Sequence, residues 1–272
     1  MKKIYRICTK YLNFFFAKFV AFFLNKINYK ITPNLSAIEK FDYDYSISSR
    51  RLVFKKPKNK FGKVLIDTSL YSSNMCELGK LHETNKSPYN LNGHRSGFTG
   101  IYFLLFSTLR DKDICFAEIG IEKNASTKMW RDFFSKAEIH CFEFNEEKII
   151  RAKSDNLENT FYHKIDVRDE KNIQNSFDKV NEKFDIIIDD STHFFDDQLR
   201  IIKSCKRFLK KNGILIIEDI HRNRSEYSEK NYYNNLNNIS NEFFDILFIE
   251  TPHINNFTAN WKNEKLLLLI RK

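Results

Sequence analysis

Acidic side chains end four successive apolar runs between Cys115 and Ile220. In chain order the runs are CFAEIG (115–120), IHCFEF (139–144), DIIIDDSTH (185–193) and GILIIEDI (213–220), and amphipathic segments of helical length separate them. Short apolar strands that alternate with helices are typical of a parallel sheet with both faces covered. The sequence therefore predicts a doubly wound α/β fold for this part of the chain.

The acidic residues at the strand ends indicate a binding site. Ligands of open α/β sheets bind beyond the carboxyl ends of the strands. Six carboxylates are expected to gather at that edge: Glu118, Glu143, Asp189, Asp190, Glu218 and Asp219. Because like charges in one site raise the pKa values of one another, we expect a cation, a ribose or a base to share it.

The predicted sheet has seven strands and is mostly parallel. A loop rather than a helix joins the final two strands, which favours an antiparallel last strand. The predicted strands are 115–120, 138–144, 160–166, 184–190, 213–219, 243–250 and 265–272, and the predicted helices are 125–136, 145–155, 170–181, 195–211 and 228–240.

The sequence before this sheet divides into two further segments. The expected segments of the whole chain are therefore 1–30, 31–113 and 114–272. Within the middle segment, a hairpin is expected over 51–67 because Asn59 to Gly62 supply turn residues. Further along, two helices flank the polar loop HETNKSPYNLNGHRSGFTG. Such loops commonly carry function, and we expect this one to contact a substrate.

The net charge of +10 is concentrated at the amino terminus. Residues 1–30 carry seven Lys and Arg residues and no acid, and without them 38 basic residues face 35 acidic ones. The remainder shows no basic stripe with interleaved aromatic residues, so we expect no nucleic-acid partner. The five cysteines are scattered without zinc-binding spacing, which is typical of reduced thiols in a cytoplasmic protein.

Residues 1–30 combine these cations with an apolar run from Tyr11 to Leu24. The run is interrupted by Lys18 and is too short to span a bilayer comfortably. Two interpretations remain open. The segment is a helix lying in an anionic membrane surface, which would place the protein at the inner face of the membrane, or it packs on the body or on a second subunit of a homo-oligomer.

The turn EIGIEKNAS (118–126) ends the first strand of the sheet and opens a helix. A glycine at such a turn lets a ligand approach the backbone, and the helix N-terminus favours polar or anionic groups. Glu143 ends the next strand, where an acid can accept both hydroxyls of a ribose. Asp166 ends the third strand and is similarly placed for an adenine amine.

The residues DDSTH (189–193) and IED (217–219) predict a metal site. Asp190, Glu218 and Asp219 come from two neighbouring strand ends, and three such oxygen ligands suit Mg²⁺. His193 follows close enough to take the proton of a hydroxyl held there. The alternative is a solvated acidic rim with a capping histidine.

Four motifs together resemble a known family. They are EIGIEKNASTKMWRDFF (118–134), IDDSTH (188–193), NGILIIED (212–219) and, more loosely, TNKSPYNLNGHRSGF (84–98). Over roughly residues 80–220 the sequence resembles class I S-adenosylmethionine-dependent methyltransferases. More narrowly, it is similar to the metal-dependent sugar O-methyltransferases of macrolide biosynthesis and their cephalosporin-hydroxylase-like relatives. The resemblance implies a Rossmann-like methyltransferase fold.

The resemblance also implies roles for individual residues. The residues expected to bind S-adenosylmethionine are Glu118, Gly120, Ser126, Glu143, Asp166 and Asp189. Asp190, Glu218 and Asp219 would hold Mg²⁺, and His193 would be the base. The sequence departs from the family pattern in three places: Asn124 to Ser126 replace GGS, Asn85 replaces an aspartate and Ser191 replaces a glycine.

The expected activity is Mg²⁺-assisted methyl transfer from S-adenosylmethionine to a sugar hydroxyl. The acceptor would be a nucleotide sugar or a precursor of a cell-surface glycan. Two alternatives are a methyltransferase for a small secondary metabolite and a non-catalytic scaffold with the same fold.

Overall fold

The structure is a computed structural model that describes residues 52–58, 61–258 and 261–272. Residues 56–272 form one compact unit. The predicted helix 1–30 lies outside the described residues, so membrane attachment and packing on a second subunit both stay predictions. Within the described part of the chain, no helix combines the length and the apolar character that crossing a bilayer requires.

Nine strands of the described chain form a single sheet. Their bounds are β1 Leu52–Lys58, β2 Phe61–Ile66, β3 Cys115–Ile119, β4 Glu138–Glu143, β5 Thr160–Lys164, β6 Phe184–Asp189, β7 Leu209–Ile217, β8 Phe243–Glu250 and β9 Lys265–Arg271. The spatial order is β1-β2-β8-β9-β7-β6-β3-β4-β5. β3 therefore lies between β6 and β4 in the middle of the parallel part.

The seven strands predicted from the sequence are all present. β9 runs antiparallel to both β7 and β8, as the loop before it predicted. β1 and β2 follow one another in the chain and are neighbours in the sheet, as the predicted hairpin requires. β2 also pairs in parallel with β8, so this segment extends the same sheet. The seven predicted strands thus belong to a sheet of nine in the described chain.

Seven α-helices lie in the described chain: α1 Asn74–Leu81, α2 Phe98–Phe106, α3 Ala125–Phe133, α4 Glu146–Lys153, α5 Glu170–Phe177, α6 Phe195–Cys205 and α7 Glu229–Leu236. Side-chain oxygens begin several of them. Asn145 caps α4 by accepting from two backbone N–H groups, and Asp169 caps α5 by accepting from one. These caps satisfy N–H groups that a helix leaves without partners.

The helix predicted over 195–211 ends earlier, at Cys205. A short 3-10 turn follows, and Leu209 already pairs with Phe184 of β6. A register shift in β6 between Phe184 and Ile186 accommodates this pairing. Because polar residues follow Leu209, no apolar run marks the start of β7 in the sequence.

The helices cover both faces of the sheet. Phe116 of β3 belongs to a core cluster with residues of α1, α2 and α3, whereas its neighbour Ala117 belongs to the cluster that contains residues of α5, α6 and α7. Successive strand residues point to opposite faces, so a strand covered on both sides must be apolar throughout. This explains the continuous apolar runs and leaves the carboxyl ends of the strands free for ligands.

Candidate functional site

Two cavities lie at the carboxyl ends of the strands, and Asp190 lines both. The first has a volume of about 360 Å³ and is lined by residues that include Gly120, Glu143 and Phe144. The second has a volume of about 200 Å³ and is lined by residues that include His193, Asp219 and Asn263. We call them the cofactor cavity and the acceptor cavity.

Gly120 forms the floor of the cofactor cavity. Its φ is +90°, and a Cβ at this position would overlap the carbonyl oxygen of Asp190. The Gly120 N–H donates to the carbonyl of Phe142 at 2.7 Å, and the Asp190 N–H donates to that of Ile119 at 2.8 Å. These bonds bring the ends of β3, β4 and β6 so close together that glycine is required at the turn.

Glu143 also lines the cofactor cavity. Its Oε1 accepts from the Asn145 N–H at 2.8 Å, and its Oε2 accepts from the Ile121 N–H at 3.2 Å. Two backbone donors thus fix the carboxylate where it lines the cavity. Each oxygen retains capacity to accept a further hydrogen bond, so the group suits a pair of ligand hydroxyls.

Glu118 and Ser126 were predicted to bind cofactor, but neither is among the residues that line the cofactor cavity. Ser126 donates to Glu118 at 2.9 Å, and the indole of Trp130 donates to the same carboxylate at 3.1 Å. Burial raises the pKa of Glu118, and Lys86, 3.6 Å away, opposes this. The structure places both residues in a buried polar layer beneath the cavity.

Asp189 and Asp166 also lie outside the cavity lining. Asp189 accepts from the Ser191 hydroxyl at 2.6 Å, and burial raises its pKa to about 6. Asp166 accepts from the guanidinium of Arg168 through both carboxylate oxygens at 2.8 Å. Their chain neighbours Asp190 and Val167 line the cavity instead.

Asp190, His193 and Asp219 form a cluster at the inner end of the acceptor cavity. His193 Nε2 lies 3.4 Å from Asp219 Oδ2 and 3.9 Å from Asp190 Oδ1. One ligand atom from each residue lies within 4.8 Å of the others. Both His193 and Asp219 have positive φ values, 58° and 57°, a strained backbone often seen at functional sites. The two carboxylates suit a divalent cation, and the imidazole of His193 lies beside them.

Glu218 was predicted as a third metal ligand, and the structure places it outside that cluster. Its Oε1 accepts from the Tyr102 hydroxyl at 2.6 Å, and its Oε2 accepts from Lys86 Nζ at 2.7 Å. The residue is buried. Each of its carboxylate oxygens thus accepts from one protein donor.

Lys86 is the principal site residue that the residue-level predictions missed. Its Nζ contacts Asp190 as well as Glu218, and the side chain is only 1 % exposed. Burial alone would lower the pKa of Lys86, but Asp190, Glu218 and Glu118 outweigh it and hold the pKa well above the usual value. The only sequence signal was its place in the TNK start of the predicted substrate loop.

The charges around Lys86 do not balance. The carboxylates of Glu118, Asp190 and Glu218 contact the one buried ammonium, and that of Asp219 interacts with it electrostatically. Burial and the charge of Asp190 raise the pKa of Glu218. Burial also raises that of Asp219, which His193 opposes. The excess of negative charge favours a bound cation at this edge of the sheet.

Comparison with known proteins identifies the family. The profile described as "Methyltransferase domain" matches residues 124–265, just over half of the chain. The chain belongs to this family. The matched part of the methyltransferase domain includes Glu143, Asp190, His193 and Asp219, whereas the loop that carries Lys86 lies before it. A search of curated protein sequences finds no match.

Solved structures share the methyltransferase fold. The MycE methyltransferase from the mycinamycin biosynthetic pathway, in complex with Mg, SAH and mycinamycin VI, has a TM-score of 0.55 at 14% identity, over 74% of this chain and 55% of MycE. A second crystal form with Mg and SAH has a TM-score of 0.53 at 15% identity, over 74% and 54%. The chain thus spans about half the length of MycE.

Proposed function

We propose that the protein is an S-adenosylmethionine-dependent O-methyltransferase that transfers a methyl group to a sugar hydroxyl with the assistance of Mg²⁺. The observation that carries this proposal is the position of Asp190, which lines both cavities. A methyl donor in one cavity and an acceptor in the other would meet beside this carboxylate. Membership of the methyltransferase family and the resemblance to the sugar O-methyltransferases support it.

The cofactor cavity provides groups for each part of the donor. Glu143 accepts the ribose hydroxyls, and Gly120 lets the donor approach the backbone. Phe144 is 53% exposed and lines the same cavity, so its ring offers a face to the adenine. The guanidinium of Arg168 lies 4.5 Å from the centre of that ring and holds it in place.

In the reaction, the methyl carbon breaks its bond to the sulfonium sulfur and forms one to the acceptor oxygen, while the hydroxyl proton passes to His193 Nε2. Asp190 and Asp219 would hold the cation, and Glu218 remains the buried counter-ion of Lys86. A bound divalent cation supplies positive charge that lowers the pKa of the acceptor hydroxyl. The protein contributes mainly alignment of donor and acceptor.

Binding measurements test both halves of this proposal. Calorimetry should show S-adenosylmethionine binding to the parent protein, and Mn²⁺ titration followed by electron paramagnetic resonance should show a bound ion. Asp190→Ala and Asp219→Ala should each lose the ion and retain the cofactor. Asp196→Ala, which removes an exposed acid at the start of α6, is the matched control. Absence of cofactor binding would contradict the proposed activity.

Turnover measurements separate the roles of the cluster residues. A screen of nucleotide sugars, with S-adenosylhomocysteine formation as the signal, should identify an acceptor. His193→Ala should then lower turnover by about 10²–10⁴-fold while Mn²⁺ affinity stays unchanged. Loss of Mn²⁺ affinity in this variant would make His193 a ligand, and full activity in excess chelator would exclude the metal-assisted mechanism.

A further inference from the structure

His193 has a strained backbone in the turn between β6 and α6. Its φ of +58° lies in the left-handed region, which a residue with a side chain seldom adopts unless its surroundings hold it there. In this conformation its Nε2 lies 3.4 Å from Asp219 Oδ2. A contact from outside the turn is therefore expected to stabilise the conformation that brings the ring to the cluster.

The hydroxyl of Tyr227 provides such a contact. It donates to the carbonyl oxygen of His193 at 2.8 Å, and the tyrosine is only 3% exposed. Because a carbonyl oxygen lies in the plane of its peptide group, this hydrogen bond restrains the backbone of His193 directly. The two residues are 34 positions apart in sequence, so the turn itself does not supply the restraint.

The ring of Tyr227 is held by contacts of its own. The ring of His221 packs edge to face against it with 4.9 Å between ring centres, and that of Phe195 does so at 5.9 Å. The next residue, Ser228, caps the start of α7. Packing and a helix start thus place the Tyr227 hydroxyl independently of His193.

The segment that follows β7 therefore holds His193 at two points. Asp219 faces its ring, and Tyr227, further along the same segment, binds its carbonyl oxygen. A ring that takes a proton from an acceptor hydroxyl needs a fixed direction, because proton transfer requires hydrogen-bond reach and alignment. The bond from Tyr227 selects the backbone conformation from which the His193 ring reaches the cluster.

Resting on the proposed function, we propose that Tyr227 is a positioning residue that holds His193 in the conformation in which the imidazole takes the proton of the acceptor hydroxyl. Tyr227 lines neither cavity. It acts through the carbonyl oxygen of His193 and touches no reacting atom. Without its hydroxyl, the backbone of His193 relaxes towards ordinary negative φ values, and the ring spends a smaller fraction of the time beside Asp219.

Nuclear magnetic resonance of the histidine rings tests this inference without cofactor or turnover. The protein is labelled with ¹⁵N-histidine, and the His193 signal is the one that is absent from His193→Gln. In Tyr227→Phe, which removes only the hydroxyl, this signal should shift or broaden. The matched control is Tyr232→Phe, because Tyr232 is also buried and packs on Phe195, but its hydroxyl donates to Gln198. The control should leave the His193 signal unchanged.

Turnover provides a second measurement. In Tyr227→Phe, kcat for methyl transfer should fall about fivefold, the change in population that the loss of one hydrogen bond produces. Binding of S-adenosylmethionine and of Mn²⁺ should stay unchanged. An unaltered His193 signal in Tyr227→Phe, or equal changes of that signal in Tyr227→Phe and Tyr232→Phe, would overturn the inference. A crystal structure of the parent protein in which His193 has a negative φ would also overturn it, whether or not Tyr227→Phe folds.

The outcomes also distinguish this inference from the proposed function. A His193 signal that changes only in Tyr227→Phe, in a protein that fails to bind S-adenosylmethionine, would refute the proposed activity and leave the positioning contact in place. Conversely, methyl transfer by a parent protein whose turnover and His193 signal are unaffected by Tyr227→Phe would refute the positioning role alone.

Discussion

The cofactor cavity and the acceptor cavity are built in different ways. The cofactor cavity is lined by residues from one continuous stretch, Ile119 to Thr192, in which strands and turns follow one another. The acceptor cavity combines three distant stretches: 85–98, 190–219 and 258–263. Its loops are joined by long-range bonds such as the paired backbone hydrogen bonds between Arg95 and Phe257, at 3.0 and 3.1 Å.

Local backbone geometry positions the residues of the cofactor cavity, whereas contacts between distant segments position those of the acceptor cavity. Gly120 and Glu143 are held by backbone groups of adjacent strand ends. Lys86, in contrast, bonds to Glu218, which lies 132 residues away in sequence. We therefore expect substitutions to affect the two cavities separately, except at the turn that they share.

The largest effect is expected at Lys86. Lys86→Met leaves the buried carboxylates of Asp190, Glu218 and Glu118 without their ammonium, and removing one partner of a buried ion pair costs about 3–5 kcal/mol. The free energy of unfolding, measured by urea denaturation, should fall by that amount. The matched control is Lys80→Met, an exposed lysine of α1. If Lys86→Met and Lys80→Met lower the free energy of unfolding equally, ionic contacts do not hold the acceptor cavity together.

Gly120→Ala should affect both cavities. The new Cβ would meet the Asp190 carbonyl, and the positive φ is unfavourable for alanine, so we expect a loss of about 3 kcal/mol in unfolding free energy. Gly93→Ala is the control, because its Cβ would meet no atom within 4 Å. Thermal denaturation measures the stability of both variants. Equal stability of Gly120→Ala and Gly93→Ala would show that the turn at Gly120 tolerates a Cβ.

Glu143→Ala should affect the cofactor cavity alone. Loss of the carboxylate leaves the ribose hydroxyls without partners and should weaken S-adenosylmethionine binding by about 1–3 kcal/mol in calorimetry. Mn²⁺ binding beside the acceptor cavity, followed by electron paramagnetic resonance, should not change. Unchanged cofactor affinity would remove Glu143 from the site, and altered Mn²⁺ binding would show that the two cavities are coupled.

The sequence predicted what local patterns determine. Apolar runs ending in acids gave β3, β4, β6 and β7, and the positions of Gly120, Glu143 and Asp190 followed from the geometry of parallel strands. Lys86 carries no such signal, because its burial results from packing between segments far apart in the chain. A lysine in a polar loop ordinarily indicates a solvated surface.

Glu218 and Asp219 were predicted to hold Mg²⁺ together, and the structure gives the two residues different partners. Glu218 and Asp219 are consecutive and follow β7 directly. Both residues line the acceptor cavity, but their carboxylates have different partners. Glu218 meets Lys86 and Tyr102, whereas Asp219, with its positive φ, turns towards His193.

A crystal structure with S-adenosylhomocysteine and Mn²⁺ tests the central claim most directly, because the anomalous signal of manganese locates the ion. We predict adenosine in the cofactor cavity, its ribose hydroxyls on Glu143, and an anomalous peak between Asp190 and Asp219 that faces the acceptor cavity. Adenosine bound elsewhere, or no ion beside Asp190 and Asp219 at saturating Mn²⁺, would refute the proposed site.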